Sequence, residues 1–301
     1  MSRTATTDAA LLAQGARDRA RTRSLMWRTL RNPLSMIGMI IIGLLVLVAA
    51  AAPLIATEDP LQTNVAERLA PPSRAHFFGT DTLGRDIFSR VIYGSRISLR
   101  IAILTAVIAT VIGAPVGIVA GYFRGRLDDI AMRVTDMFMA FPRLILAMAI
   151  AAALRPTLEN VVIAISLAAW PAYARLARSM TLGLREENFV EAARALGASP
   201  PRILARHVLP GVMSPLIIQI SLDMGGIILT AAGLGFIGFG AQPPTPEWGV
   251  MISEGRNYIT TQWWVSTFPG IAIALTVLGF NLLGDGVRDV LDPRLRGRIG
   301  A

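Results

Sequence analysis

Few residue types in this chain could carry chemistry. Cys is absent, all 29 basic residues are Arg, and the two histidines are His76 and His207. Without Cys there are no disulfides and no thiolate zinc or redox sites. Without Lys there is no phosphate-binding P-loop, so the chain is not a Walker-type ATPase and ATP-driven work would have to come from a partner. No H-E-x-x-H zinc site can be built, and both histidines lie outside every long apolar run, so an intramembrane Ser-His pair has no base. The remaining catalytic arrangement is a pair of carboxylates, Asp223 and Asp285, sharing one proton as in an intramembrane aspartyl protease. The G-x-G-D pattern of such enzymes is missing, because Leu282 stands two residues before Gly284.

The elements that would hold these groups are apolar spans. The chain has 301 residues, 53% hydrophobic and 16% charged, where a soluble domain carries about 25% charge. Six spans are expected, at 34–56, 98–121, 130–154, 161–173 or a little beyond, 211–240 and 264–285. The first could pass for a signal peptide, but leader and apolar run are both too long, which favours an uncleaved anchor. Gly113, Gly117 and Gly121 recur every fourth residue, the spacing that lets two helices of one chain approach closely. Pro171 is placed to kink the fourth span.

Sidedness follows from charge. With both termini inside, the inner segments hold 20 Arg against 9 acids and the outer ones 8 against 8, the bias of the positive-inside rule. Segment 1–33 is then a cytoplasmic tail, 57–97 a folded external cap, 98–285 a five-span core and 286–301 a second cytoplasmic tail. The Arg residues of the first tail sit beside a span and are not interleaved with aromatics, which argues against nucleic acid and for a membrane partner. Four charges are left inside the spans, Asp136, Arg143, Asp223 and Asp285. Asp136 and Arg143 are two helical turns apart and are expected to share a packing face. Asp223 either lines a passage for a cationic end of cargo or accepts hydrogen bonds at a helix interface, and the second reading is favoured.

Between the fourth and fifth spans, at about 178–210, lies a polar loop. Phe189, Ala192, Ala193 and Leu196 form one apolar stripe, Gly197 stops that helix, Pro200-Pro201 turns the chain, and a second helical pattern leads to Pro210. A helix-turn-helix knob with an uncovered apolar face reads as a docking surface. Glu191 either favours the helix dipole or pairs with an Arg across that contact.

The run Glu191-Ala192-Ala193 with Gly197 and then Leu209-Pro210 resembles the cytoplasmic loop of permease subunits of binding-protein-dependent ABC importers. Three further stretches, from Phe78 to Arg90, from Gln242 to Gly249, and from Asn281 to Gly286 with Leu291 to Arg294, narrow the resemblance to the C-type subunit of dipeptide and oligopeptide importers, across roughly residues 30 to 296. The resemblance implies an all-α integral membrane protein of six transmembrane helices, the type I ABC importer permease fold, with a cytoplasmic coupling loop. It implies an inner-membrane location, a homologous B-type permease partner, two ATPase subunits that hold ATP and Mg, an external solute-binding protein, and no cofactor or metal in this chain. Carried residue by residue, ATPase docking falls on Glu191, Ala192, Ala193, Leu196, Gly197, Ala198 and Pro200. Candidate passage-lining residues are Asp223, Asn281 and Asp285, and candidate binding-protein contacts are Asp81, Arg85, Asp86, Glu247 and Trp248. Alternative expectations are a nickel or other small-solute importer of the same family, and a structural or signalling membrane protein that transports nothing. Scattered Met residues and off-path histidines disfavour nickel.

Overall fold

The computed structural model describes residues 33–291, so the two Arg-rich tails lie outside the described residues but for the start of the second. The regular elements of the described residues are all helices, apart from one isolated antiparallel bridge between Thr80 and Asp86. The helices are α1 (Pro33–Ala50), α2 (Ala52–Ile55), α3 (Ile87–Phe123), α4 (Gly125–Met139), α5 (Arg143–Ala153), α6 (Leu158–Leu184), α7 (Asn188–Ala195), α8 (Pro200–Ile203), α9 (Leu209–Ile237), α10 (Trp248–Gly255) and α11 (Trp264–Leu291). Among the described residues, five helical stretches are long and apolar enough to cross a membrane, and the bent pair α4–α5 makes a sixth if it counts as one span.

The seam between α3 and α6 is the most extensive helix contact. A Cβ on Gly113 would lie 2.4 Å from the Trp170 carbonyl, one on Gly117 2.0 Å from that of Ala174, and one on Gly121 2.9 Å from that of Arg178. Each contact joins residues 57 apart in sequence, so the two helices run parallel with their turns in step. The glycine spacing therefore serves packing within the chain, as expected. α9 lies along α11, and α1 lies along the opposite side of α11, where a Cβ on Gly38 would lie 2.6 Å from the Leu283 nitrogen.

Several expected boundaries move. α3 begins at Ile87 rather than near residue 98, because the Asp86 carboxylate accepts from the Ser89 nitrogen (2.8 Å) and caps the helix. At 37 residues α3 is about 56 Å long, so it projects well beyond a hydrocarbon core of about 30 Å. The third span is not one helix: it breaks at residues 140–142 with an 89° bend. Pro142 lacks a backbone donor and restricts Phe141 before it, which ends α4 and restarts the chain as α5. Asp136 and Arg143 therefore fall on different helices, not on a shared face. Asp136 instead accepts from Arg175 Nη2 at 2.6 Å. α6 continues to Leu184, so the loop expected from about 178 starts seven residues late, and Pro171 sits inside that helix. The pattern expected to end at Pro210 instead continues through a π turn at Leu204–Val208 into α9, and Pro210, which has no backbone donor, follows directly on that turn.

The α3–α6 seam allows a direct test. Gly117→Val drives side-chain atoms into the Ala174 carbonyl, so the helices must separate. The expected result is a loss of about 2–3 kcal/mol, read as a lowered thermal midpoint of the detergent-purified protein. The same change at Gly43, whose Cβ meets nothing within 4 Å, should leave the midpoint unaltered.

Candidate coupling loop, intramembrane ion pair and external cap

The loop after α6 is keyed to the body by its inner face. Val190, Ile203 and Val208 are fully buried and pack with Tyr122, Tyr173, Val212 and Leu216. Glu187 precedes α7, and its carbonyl accepts from the Val190 nitrogen at 2.9 Å. The helix ends in a Schellman arrangement: Ala198 N donates to Ala193 O (3.0 Å) and Gly197 N to Arg194 O (3.0 Å), with Gly197 at φ +79°. Arg185 Nη1 donates to the Tyr122 carbonyl at 2.6 Å, and the Arg194 guanidinium lies 5.9 Å from the centre of the Tyr122 ring. Just above the loop, Arg178 makes a forked pair with Asp128 at 2.6 and 2.7 Å, which locks α6 to α4.

The stripe read from sequence divides between two faces. Phe189 (46% exposed) and Leu196 (88%) point outward with Glu191 and Ala192, whereas Ala193 and Ala198 turn inward onto the core beside Val190. Val190 was missed because the four-residue stripe was phased on Phe189. Pro200 is exposed and opens α8.

Inside the body, Asp223 on α9 is spoken for. One carboxylate oxygen accepts from Arg143 Nη1 of α5, and the other accepts from the Tyr173 hydroxyl of α6 at 3.1 Å. This is the helix-interface arrangement favoured from sequence, with partners that sequence spacing could not supply. Asp285 is exposed on α11, and the two oxygens of Asp223 are engaged elsewhere, so the described geometry holds no proton-sharing pair. Asn281 lines an open apolar groove of about 650 Å³ between α9 and α11 with Gly233, Phe236, Gly270 and Val277.

The cap gives a correction. Asp81, Arg85, Asp86, Glu247 and Trp248, expected as binding-protein contacts, are each 3% exposed or less. They hold the cap together and present no surface. Arg85 Nε bonds Asp81 at 2.6 Å and its Nη2 bonds Glu254 at 2.9 Å, while Arg90 Nη2 bonds the other Glu254 oxygen at 3.0 Å. Arg90 Nη1 also donates to the carbonyls of Pro60 (3.4 Å) and Pro244 (3.3 Å), so two cations and two acids tie three segments into one body. Arg90 closes the Phe78–Arg90 stretch, but its partner Glu254 belongs to no motif and meets it across 164 residues. Glu247 caps α10 by accepting from the Val250 nitrogen at 2.9 Å, and burial pushes its carboxyl above the usual range. Trp248 Nε1 donates to the Val91 carbonyl at 3.0 Å, an approach open only because residue 94 is glycine.

His76 is enclosed in the same cap. Its Nδ1 lies 3.1 Å from Asp86 and its Nε2 3.2 Å from Glu67, with Glu58 at 3.8 Å. Burial pulls its pKa down, but hydrogen bonds to Asp86 and Glu67 and the charge of Glu58 outweigh it, and the ring titrates above its ordinary value.

With this geometry in view, comparison with known proteins is decisive. Residues 113–297 match the family described as binding-protein-dependent transport system inner membrane component, and residues 21–72 match the N-terminal TM domain of oligopeptide transport permease C. The chain belongs to this permease family. It is 47% identical to a probable D,D-dipeptide transport system permease protein of Escherichia coli (strain K12), over 91% of this chain and 92% of that one. It is 45% identical to a dipeptide transport system permease protein of Alkalihalophilus pseudofirmus (88% of each chain), and 44% identical to a glutathione transport system permease protein of Escherichia coli O1:K1 (90% of each). The fold resembles that of the MetNI methionine ABC transporter, with a TM-score of 0.55 at 21% identity, covering 68% of this chain and 97% of that one. The permease is thus a multi-span inner-membrane transport component.

Two measurements test the site. Asp223→Asn leaves the Arg143 charge without its counterion, so the yield of folded permease should fall by the equivalent of about 2 kcal/mol. Replacing both members, Arg143→Met with Asp223→Leu, should recover most of that yield in fluorescence-detected gel filtration. For the cap, the stabilising charge on His76 is fully present below its unfolded pKa of about 6.5 and is lost as pH rises through its raised folded value. The thermal midpoint of the wild type should therefore drop between about pH 6 and about pH 9. His76→Gln should start lower at the acid end and lack that drop.

Proposed function

We propose that this permease is the C-type subunit of an ATP-driven, binding-protein-dependent importer of dipeptides or oligopeptides. It forms half of the transmembrane passage, and a homologous B-type subunit forms the other half. The observation that carries the reading is the two-faced loop. Its inner side is fixed to α3, α6 and α9, and its outer side offers Phe189, Ala192 and Leu196 around Glu191 with no cover from the described residues. A small apolar knob keyed to long helices suits the transfer of force from a moving partner.

On this reading two ATPase subunits, holding ATP and Mg, seat against this loop and its counterpart. Glu191 pairs with a cation there, Ala192 permits close approach, Gly197 and Ala198 shape the turn, and Pro200 starts the return. Ala193 serves from the inner side by keeping α7 on the body. The positive-inside bias supports placing both termini and the loop in the cytoplasm and the cap outside. The tails, the anchor α1, the cap and the five-span core then form the chain's divisions. Asn281 and Asp285, one turn apart on an exposed part of α11, are the proposed passage residues. Asp223 acts as a strut and does not bind cargo. An external solute-binding protein docks on the outer surface of the cap. Peptide cargo is supported by the relatives, whose names cite dipeptides, D,D-dipeptides and glutathione.

The test is at Gly197. A Cβ there meets nothing within 4 Å, so substitution acts through the backbone alone. A β-branched residue at φ +79° costs roughly 1–2 kcal/mol and displaces the end of α7. Gly197→Val should insert at wild-type abundance, yet in reconstituted vesicles the loaded binding protein should no longer stimulate ATP hydrolysis, and peptide uptake should fall at least tenfold by the same measure. Undiminished stimulation refutes the docking role. A single cysteine at Leu196, in a chain that has none of its own, should cross-link to an ATPase subunit.

A further inference from the structure

Along the outer halves of α3 and α6, beside the seam, runs a second furrow of about 240 Å³. Its origin lies in the packing just described. Ser98, Ala102, Thr105 and Ala109 are buried in the seam and bring the two helices close. The larger residues next to them, Ile97, Ile101, Leu104 and Ile108, then stand as one wall, and Leu158, Val162 and Ile163 as the other. Leu104 (40% exposed) and Ile163 (42%) leave the furrow open along its length. The lining is apolar except for two residues toward the Leu158 end, Arg100 and Glu159. Both are exposed, and neither has an ion pair among the described residues.

Position along the helix places that end at a membrane boundary. Arg100 and Arg124 are separated by 24 residues of α3 and its cap, about 36 Å at the helical rise. This matches a hydrocarbon core of about 30 Å with its first polar layer on each side. The furrow therefore starts at headgroup level and descends into the hydrocarbon. An apolar channel with one cation and one anion at its mouth complements a ligand that carries an acyl tail, a phosphate and an ammonium.

We propose that this furrow is a binding site for an amine-bearing zwitterionic phospholipid, of the phosphatidylethanolamine class. One acyl chain lies between the walls. Arg100 engages the phosphate, and Glu159 accepts from the ammonium. A purely anionic headgroup would set its charge beside Glu159, and a trimethylated amine has no N–H to donate. The site rests on the membrane location that family membership gives, and it is independent of the cargo.

The test is native mass spectrometry of the intact transporter complex, delipidated and then supplied with phosphatidylethanolamine, phosphatidylglycerol or phosphatidylcholine at equal concentration. Retention of phosphatidylethanolamine at least fivefold above the other two is expected. Arg100→Gln and Glu159→Gln should each lower it about fivefold, and Leu104→Trp, which fills the furrow, should abolish it while the complex stays assembled. Equal retention of the three lipids, or variants that change nothing, would overturn the proposal. So would efficient cross-linking of a cysteine at Ile163 to a neighbouring subunit, which would make the furrow a protein contact.

Discussion

Everything else in this permease is hung on the close parallel contact of α3 with α6. Three glycines bring one helix against the carbonyls of the other at a constant offset of 57 residues, and neither helix can slide without forcing atoms together. One end of α3 begins at Asp86, inside the cap; the other carries Tyr122, on which Arg185 and Arg194 of the loop region rest. A rod about 56 Å long, stiffened by its neighbour, thus joins the cap to the loop. Small residues make this possible because association within a bilayer gains little from the hydrophobic effect and depends on van der Waals contact.

Charge is used structurally at three levels. In the cap, Asp81, Arg85, Arg90 and Glu254 are gathered where isolated charges would be prohibitively costly, and each is compensated by an opposite charge. In the body, Arg143, Tyr173 and Asp223 link α5, α6 and α9, so the half-span that follows the bend is tied to two full helices. Near the loop, Arg178 and Asp128 fasten α6 to α4. Pairing of this kind fixes geometry more than it adds stability, since desolvation offsets much of the attraction. Geometry is what a subunit needs if it is to carry displacement over tens of ångströms.

The loop shows how the same residues serve two masters. α7 is only eight residues long and is too short to be stable alone. It is helical because Val190 and Ala193 pack onto the chain's own core and because Gly197 closes its end. Once so held, Phe189, Ala192 and Leu196 are committed to the outside. An exposed leucine is ordinary; Leu196, just past the end of α7, keeps its place because Val190 and Ala193 anchor the helix before it.

Composition and periodicity determined much of this protein. Low charge and long apolar runs dictated a membrane-spanning helical chain, and the absence of Lys and Cys removed whole classes of chemistry. Glycine spacing announced a close helix contact within the chain, though not which helix would make it, and Gly197 announced the end of α7, because these features are local. Tertiary structure alone decided who meets whom. Arg90 finds Glu254 across 164 residues and Asp223 finds Arg143 across 80. The residues expected on the cap's surface proved to be its interior, and the third span broke where Pro142 removed a donor. The physical reason is that a charge declares its sign in sequence but not its partner: burial and pairing are set by the meeting of distant segments, and no local pattern encodes that.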